Sequence, residues 1–312
     1  MLFNKPIATL VLPDIHEMKL AKESGLSSIV FQLDHGDYMA DELKELIQFV
    51  HMNVDALRIP QDLALGLDDL NLKGLVQIIQ LAGEICTSKP GMVILHSHTV
   101  TLGEIFEYLE KHARDFQALQ DFKDHWVNKI ISQIRSLIPI AQKNQVILAL
   151  ENAPMGGMEY FESGHGYIHP ALRTPRHLKS IVKETGIKLC FDTANARITT
   201  NALTYMKRSR SLFAGATENE ILSSPSNWLD FYKEIKEDVA MILLSDSISW
   251  GDTATTSHIP FREDHFPELL SFAEMLEGNI PIALSLNETG KPGEQLQKMM
   301  QILHQLKPSG IR

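Results

Sequence analysis

Three polar residues directly follow short apolar runs, and a fourth lies just beyond another: His96 after Met92–Leu95, Glu151 after Val146–Leu150, Asp192 after Ile187–Phe191 and Asp246 beyond Ala240–Leu244. Carboxylate oxygens and imidazole nitrogens together form sites suited to Mn2+, Mg2+, Co2+ or Zn2+. A divalent ion there could clamp two oxygens of a polyhydroxylated carbonyl compound and stabilise the ene-diolate formed when a base removes the α proton. A carboxylate beside the ion could be that base. On this reading Glu151 is a metal ligand or base, Asp192 a ligand, and His96 and His258 carry protons or touch substrate. Asp246 and Glu288 are further ligand candidates, while Arg58, His98, Asn152 and Asn195 are candidate substrate contacts. The same residues hold a metal-free alternative, in which the Arg58 guanidinium pairs with Glu151 or Asp192 in place of an ion.

The elements that must position these groups are eight apolar runs: Ile7–Val11, Ile29–Leu33, Ala56–Ile59, Met92–Leu95, Val146–Leu150, Ile187–Phe191, Ala240–Leu244 and Ile282–Leu286. Continuous Val/Ile/Leu runs are the pattern of parallel strands buried on both faces. Helical periodicity fills the gaps, as in Ala40–Val50 and Leu70–Cys86, and a Thr174-Pro175 start opens the helix ending at Thr185. Further helices are expected near Gly103–Arg114, Asp121–Lys143 and Asn227–Lys236, and a last one from about Pro292. Eight strand–helix units predict an α/β fold, a (β/α)8 TIM barrel, with its active site at the C-terminal strand ends. Glu151 and Asp192 end consecutive strands and should be neighbours there. The stretch Lys207-Arg208-Ser209-Arg210 reads as a solvated helix end, and His165 and His169, between Gly156 and Pro170, read as surface residues.

The whole chain, 1–312, is expected to form this single domain; it is 44% hydrophobic and 22% charged. A net charge of −10, from 39 acidic against 29 basic side chains, disfavours a nucleic-acid partner. Two cysteines, Cys86 and Cys190, fit a reducing compartment and read as packing residues. No apolar run reaches bilayer length and the N-terminal run is too short for a signal peptide, so a cytoplasmic protein is expected. The expected partner is a small sugar-like molecule; a homo-oligomer is compatible with the composition. Walker loops, paired Cys-x-x-Cys arrangements, His-Glu-x-x-His helices and Gly-x-Ser-x-Gly elbows are missing from the sequence.

Met92–His96, Leu148–Asn152 and Leu189–Ala196, with the phrase Thr174-Pro175-Arg176-His177-Leu178, together resemble the xylose-isomerase-like superfamily, which includes sugar isomerases, sugar epimerases and endonucleases of the endonuclease IV type. The resemblance implies that Glu151 and Asp192 match metal-binding carboxylates of strands five and six, His96 the strand-four histidine and His258 the histidine after strand seven. It also exposes departures. Leu243 stands where the seventh strand usually carries a histidine, and Ser285 where the eighth carries a glutamate. Arg58 and Asn195 replace two further histidines. A divalent-metal-dependent isomerase or epimerase of carbohydrate metabolism is the leading expectation, a metal-free barrel binding a small ligand the alternative, and an abasic-site nuclease the last.

Overall fold

Each apolar run becomes a strand of one closed, all-parallel barrel in the computed structural model, which describes residue 3 and residues 6–115, 117–161, 166–209 and 215–306. The strands are β1 Ile7–Val11, β2 Ser28–Gln32, β3 Asn53–Arg58, β4 Gly91–Leu95, β5 Val146–Glu151, β6 Lys188–Asp192, β7 Val239–Leu244 and β8 Ile282–Leu284. They pair in sequence order, and β8 closes on β1 through Ile7–Ile282, Ala8–Ala283 and Thr9–Leu284. Two boundaries differ from the sequence expectation by more than one residue. β3 starts three residues early because Asn53 and Val54 pair with Ser28 and Ile29 of β2 despite the polar residues there. β8 stops at Leu284, after which only the Ser285 amide still reaches back, to the Leu244 carbonyl.

Helices coat the barrel, with apolar stripes turned inward. Ala40–Val50 and Glu294–Gln305 fall where periodicity puts them. Leu72–Ile85 buries Leu75, Ile78, Ile79 and Ala82 against the strands. Pro175–Thr185 begins on the expected proline and ends at Gly186, whose φ of 71° closes the helix in the left-handed region. Among the described residues no helix is long and apolar enough to cross a membrane.

Side chains alternate across each strand, so every second residue points into the barrel. Ala8, Val30, Ala56, Met92, Ile94, Ala149, Cys190, Met241, Leu243 and Ala283 pack there as an inner plug separate from the large core under the helices. That plug makes the barrel a filled scaffold, leaving its rim for chemistry.

Candidate active site

The two-residue period fixes what stands at the rim. Two residues beyond Val30, Ala56, Ile94, Ala149 and Cys190 come Gln32, Arg58, His96, Glu151 and Asp192. Five strands thus deliver five hydrogen-bonding side chains to one level.

Arg58 and Glu151, 93 residues apart in sequence, meet as a two-pronged ion pair. Arg58 Nε donates to Glu151 Oε2 at 2.6 Å and Nη2 to Oε1 at 2.9 Å. The other end of the guanidinium donates to Gln32 Oε1 at 2.5 Å. Glu151 Oε1 also accepts from Asn195 Nδ2 at 3.4 Å, so both oxygens are occupied. The planar guanidinium matches a carboxylate edge to edge, which a lysine could not do.

Asp192 belongs to the same cluster. Its Oδ1 accepts the Asn195 amide at 2.8 Å, and its Oδ2 lies 3.2 Å from His258 Nε2. His258 Nδ1 is 2.8 Å from Ser257 Oγ. The loop carrying His258 returns to the barrel through paired Asp246 and Ile259 backbones, and the His258 carbonyl accepts from the Asn287 amide at 2.8 Å. These bonds hold His258 at φ 51°, a conformation that costs energy for a residue other than glycine and is retained where its surroundings over-determine it. Burial disfavours the imidazolium, yet the Asp192 charge, its hydrogen bond and Glu151 outweigh that effect, so the pKa of His258 is raised. With His258 protonated, two carboxylates face two cations and the cluster is balanced.

Two other histidines are held neutral. Burial first, and then the Arg58 charge, pull His96 down to about 3; its Nε2 lies 3.0 Å from the Ile59 carbonyl, which only a protonated nitrogen can satisfy. Burial first, and then Arg173, pull His169 down to about 3, and its Nδ1 meets Ser97 Oγ at 3.2 Å. Burial, then Glu151 and Asp192, keep Cys190 a thiol. Arg58, His96, Glu151, Asn195, Ser257 and His258 line a cavity of about 340 Å³. Its walls present neutral imidazoles, amides and hydroxyls, which suit hydrogen bonding to hydroxyl groups.

Several expected residues lie elsewhere. His98 does not alternate with His96 at the cavity, because the chain leaves β4 after Leu95 and the His98 amide turns to the Leu65 carbonyl. Asn152 lines the cavity, but its amide group clamps the Asp192 backbone, donating at 3.0 Å and accepting at 2.7 Å. It braces β6 against β5. Asn195 likewise donates to the Asn152 carbonyl at 3.0 Å. Asp246 is fully buried between Arg197 at 2.9 Å and His265 at 2.7 Å, and it supports the His258 loop. Glu288 lines a neighbouring cavity and accepts the Gly293 amide at 3.1 Å. His169 lines the mouth instead of the surface, brought inward by a ribbon pairing Val100 with Ile168. His165 and Arg210 lie outside the described residues. Gln32 and Ser257 escaped sequence reading; the rim position of Gln32 follows from strand parity, whereas nothing local marks Ser257.

These residues do not fit a divalent ion. Arg58 already stands as the cation on Glu151, and a second positive charge would be repelled from the same oxygens. Leu243, paired in register with Asp192 and Ala283, puts an apolar side chain into the inner plug one strand from Asp192. Among the described residues, no group of three or more His, Cys, Asp or Glu is placed to hold a metal.

By sequence, no family model and no curated protein matches the chain. By structure, it is similar to 3-keto-D-glucoside 4-epimerase from E. coli, with TM-score 0.61, 12% identity, and 97% of this chain and 100% of that one covered. A xylose isomerase domain protein from Planctomyces limnophilus gives 0.59 at 11% identity, over 96% of this chain and 95% of that one. Endonuclease IV from Thermus thermophilus gives 0.58 at 11% identity, over 96% and 100%. The fold is a (β/α)8 barrel similar to the folds of these three structures.

Proposed function

We propose that this xylose-isomerase-like barrel takes a small polyhydroxylated carbonyl compound at its mouth and moves a proton on the carbon next to the carbonyl, using its own side chains where a metal ion would otherwise act. The observation that carries this reading is the Arg58–Glu151 fork standing beside the Asp192–His258 pair in one polar cavity. In its neutral form, reached as pH rises through its raised pKa, His258 takes the proton at Nδ1, where Ser257 Oγ marks a hydrogen-bonding approach, while Nε2–H stays on Asp192. Arg58 supplies positive potential for the developing enolate oxygen. His96 and His169, both neutral, hydrogen-bond hydroxyls. The sugar-epimerase name of a structural neighbour supports the substrate class.

A second reading is favoured by the engagement of both Glu151 oxygens: a barrel that binds the same molecule without turning it over. Nucleic acid finds no support, since among the described residues Arg58 is the one Lys or Arg lining the cavity and it is already engaged.

The discriminating experiment incubates chelator-treated protein with a panel of ketohexoses in D2O and follows deuterium entry beside the carbonyl by NMR. Exchange that survives chelation and disappears in His258→Gln supports catalysis. Binding without exchange selects the second reading, and exchange that appears only with added Mn2+ refutes the metal-free chemistry.

A further inference from the structure

A second cavity of about 580 Å³ lies beside the first, on the β8–β1–β2 side of the mouth. Arg58, His258 and Asn287 line both, so the wall between them is built from the charged cluster itself. Both expose apolar as well as polar surface, and they differ in which side chains supply it: polar residues make up most of the first lining, whereas Leu10, Leu12, Leu286 and Leu296 stand in the second beside polar residues that include Glu17 and Glu288.

We propose that the molecule bound here has two parts: a polyhydroxylated head in the first cavity and an uncharged apolar substituent in the second. The proposal rests on the sugar-like reading above and deepens it by naming the substrate class, an unphosphorylated sugar carrying an apolar group. Three observations support it. Cavities of about 300–1,000 Å³ accept whole drug-sized ligands, so the first alone accommodates a monosaccharide and the second is additional space. Its leucines reward burial of apolar surface at about 25 cal/mol per Å². Its fixed charges oppose a phosphate. Glu17 and Glu288 both face it, and the cations the two walls share are already held: Arg58, the one Lys or Arg there among the described residues, by Glu151 and Gln32, and His258 by Asp192. The Glu288 carboxyl is raised, by burial first and then by repulsion from Glu17 and Glu294, in keeping with negative potential there.

The test is calorimetric titration of the full chain with D-glucose, D-galactose, D-mannose and D-fructose, their 6-phosphates, and the phenyl glycosides of the three aldoses. Binding is read instead of turnover because the phenyl group occupies the anomeric carbon. The expected result is a phenyl glycoside binding roughly tenfold tighter than its parent sugar, with every 6-phosphate roughly tenfold weaker than its parent. Leu286→Trp, which fills the second cavity, should remove the glycoside's advantage and leave the free sugar within about threefold. Should that variant misfold, Glu288→Lys provides an independent arm, and it should strengthen 6-phosphate binding. Free sugars that bind while their glycosides gain nothing, or while their 6-phosphates bind equally well, overturn the two-part substrate and leave the sugar-like reading standing. Absence of binding by every compound overturns both.

Discussion

Replacing Arg58 by methionine removes one partner of the central ion pair and leaves the Glu151 carboxylate, 4% exposed, without its cation. Breaking a fully buried pair from one side costs about 3–5 kcal/mol, because a desolvated charge is stranded. The Arg58 side chain is 25% exposed, so water can partly fill the space it vacates and the lower end applies, about 3 kcal/mol. For a chain of 312 residues that corresponds to a fall in Tm of about 5 °C. Glu151→Gln strands Arg58 instead, and its exposure limits the loss to about 2 kcal/mol. The double variant Arg58→Met/Glu151→Gln strands neither charge and should lose less than the sum, with a coupling of about 2 kcal/mol. Urea unfolding at constant m-value measures all three. A second readout uses the ion itself. With the guanidinium gone, Glu151 is freed for a cation, so millimolar Mn2+ should raise the Tm of Arg58→Met and leave the unsubstituted protein unchanged. Additive single losses, or equal Mn2+ stabilisation of both proteins, would refute the assignment of Arg58 as resident cation.

Further expectations concern groups that hold or accompany the site. The raised pKa of His258 means its stabilising contribution is complete below 6.5 and fades as pH rises through the folded value; His258→Gln should flatten the Tm–pH curve above 6.5, and an unchanged slope would contradict the Asp192 pairing. His177, pulled to about 4 mainly by burial, makes the opposite contribution, present above 6.5 and lost as pH falls toward 4. Among the described residues both its ring nitrogens lack hydrogen-bond partners, so His177→Leu should be neutral or stabilising at pH 7.5 and should soften acid unfolding. Away from the mouth, Glu220 is buried against Lys123 at 2.5 Å and Arg173 at 3.2 Å. Glu220→Gln leaves two buried cations together and should cost about 3–5 kcal/mol, whereas Lys123→Met leaves a balanced pair and should cost under about 1.5 kcal/mol; reversal of that order in urea titrations would refute the charge accounting.

The barrel was legible because burial on both faces imposes a pattern on each strand separately. Met92–Leu95 and Val146–Leu150 could be found without knowing their neighbours, and position directly after an apolar run, at a C-terminal strand end, placed Glu151 and Asp192 at the rim. The helix Ala40–Val50 was equally local, its apolar stripe following from 3.6 residues per turn. Sequence therefore determined the scaffold, the identity of the rim groups and the departures at Leu243 and Ser285. It also offered both possible partners of Glu151, an ion or Arg58, and ranked the ion first. The choice between them lies in tertiary structure, because it depends on which side chains from strands distant in sequence reach the same height around the barrel. The fork closes across 93 residues and the Asp192–His258 pair across 66, separations at which no local periodicity acts. Loops escaped for the same reason: His98, His169, Asp246 and Glu288 follow strand ends, where alternation stops and the return path of the chain decides direction. Strand burial is a property of each segment, whereas charge pairing at the mouth belongs to the closed barrel.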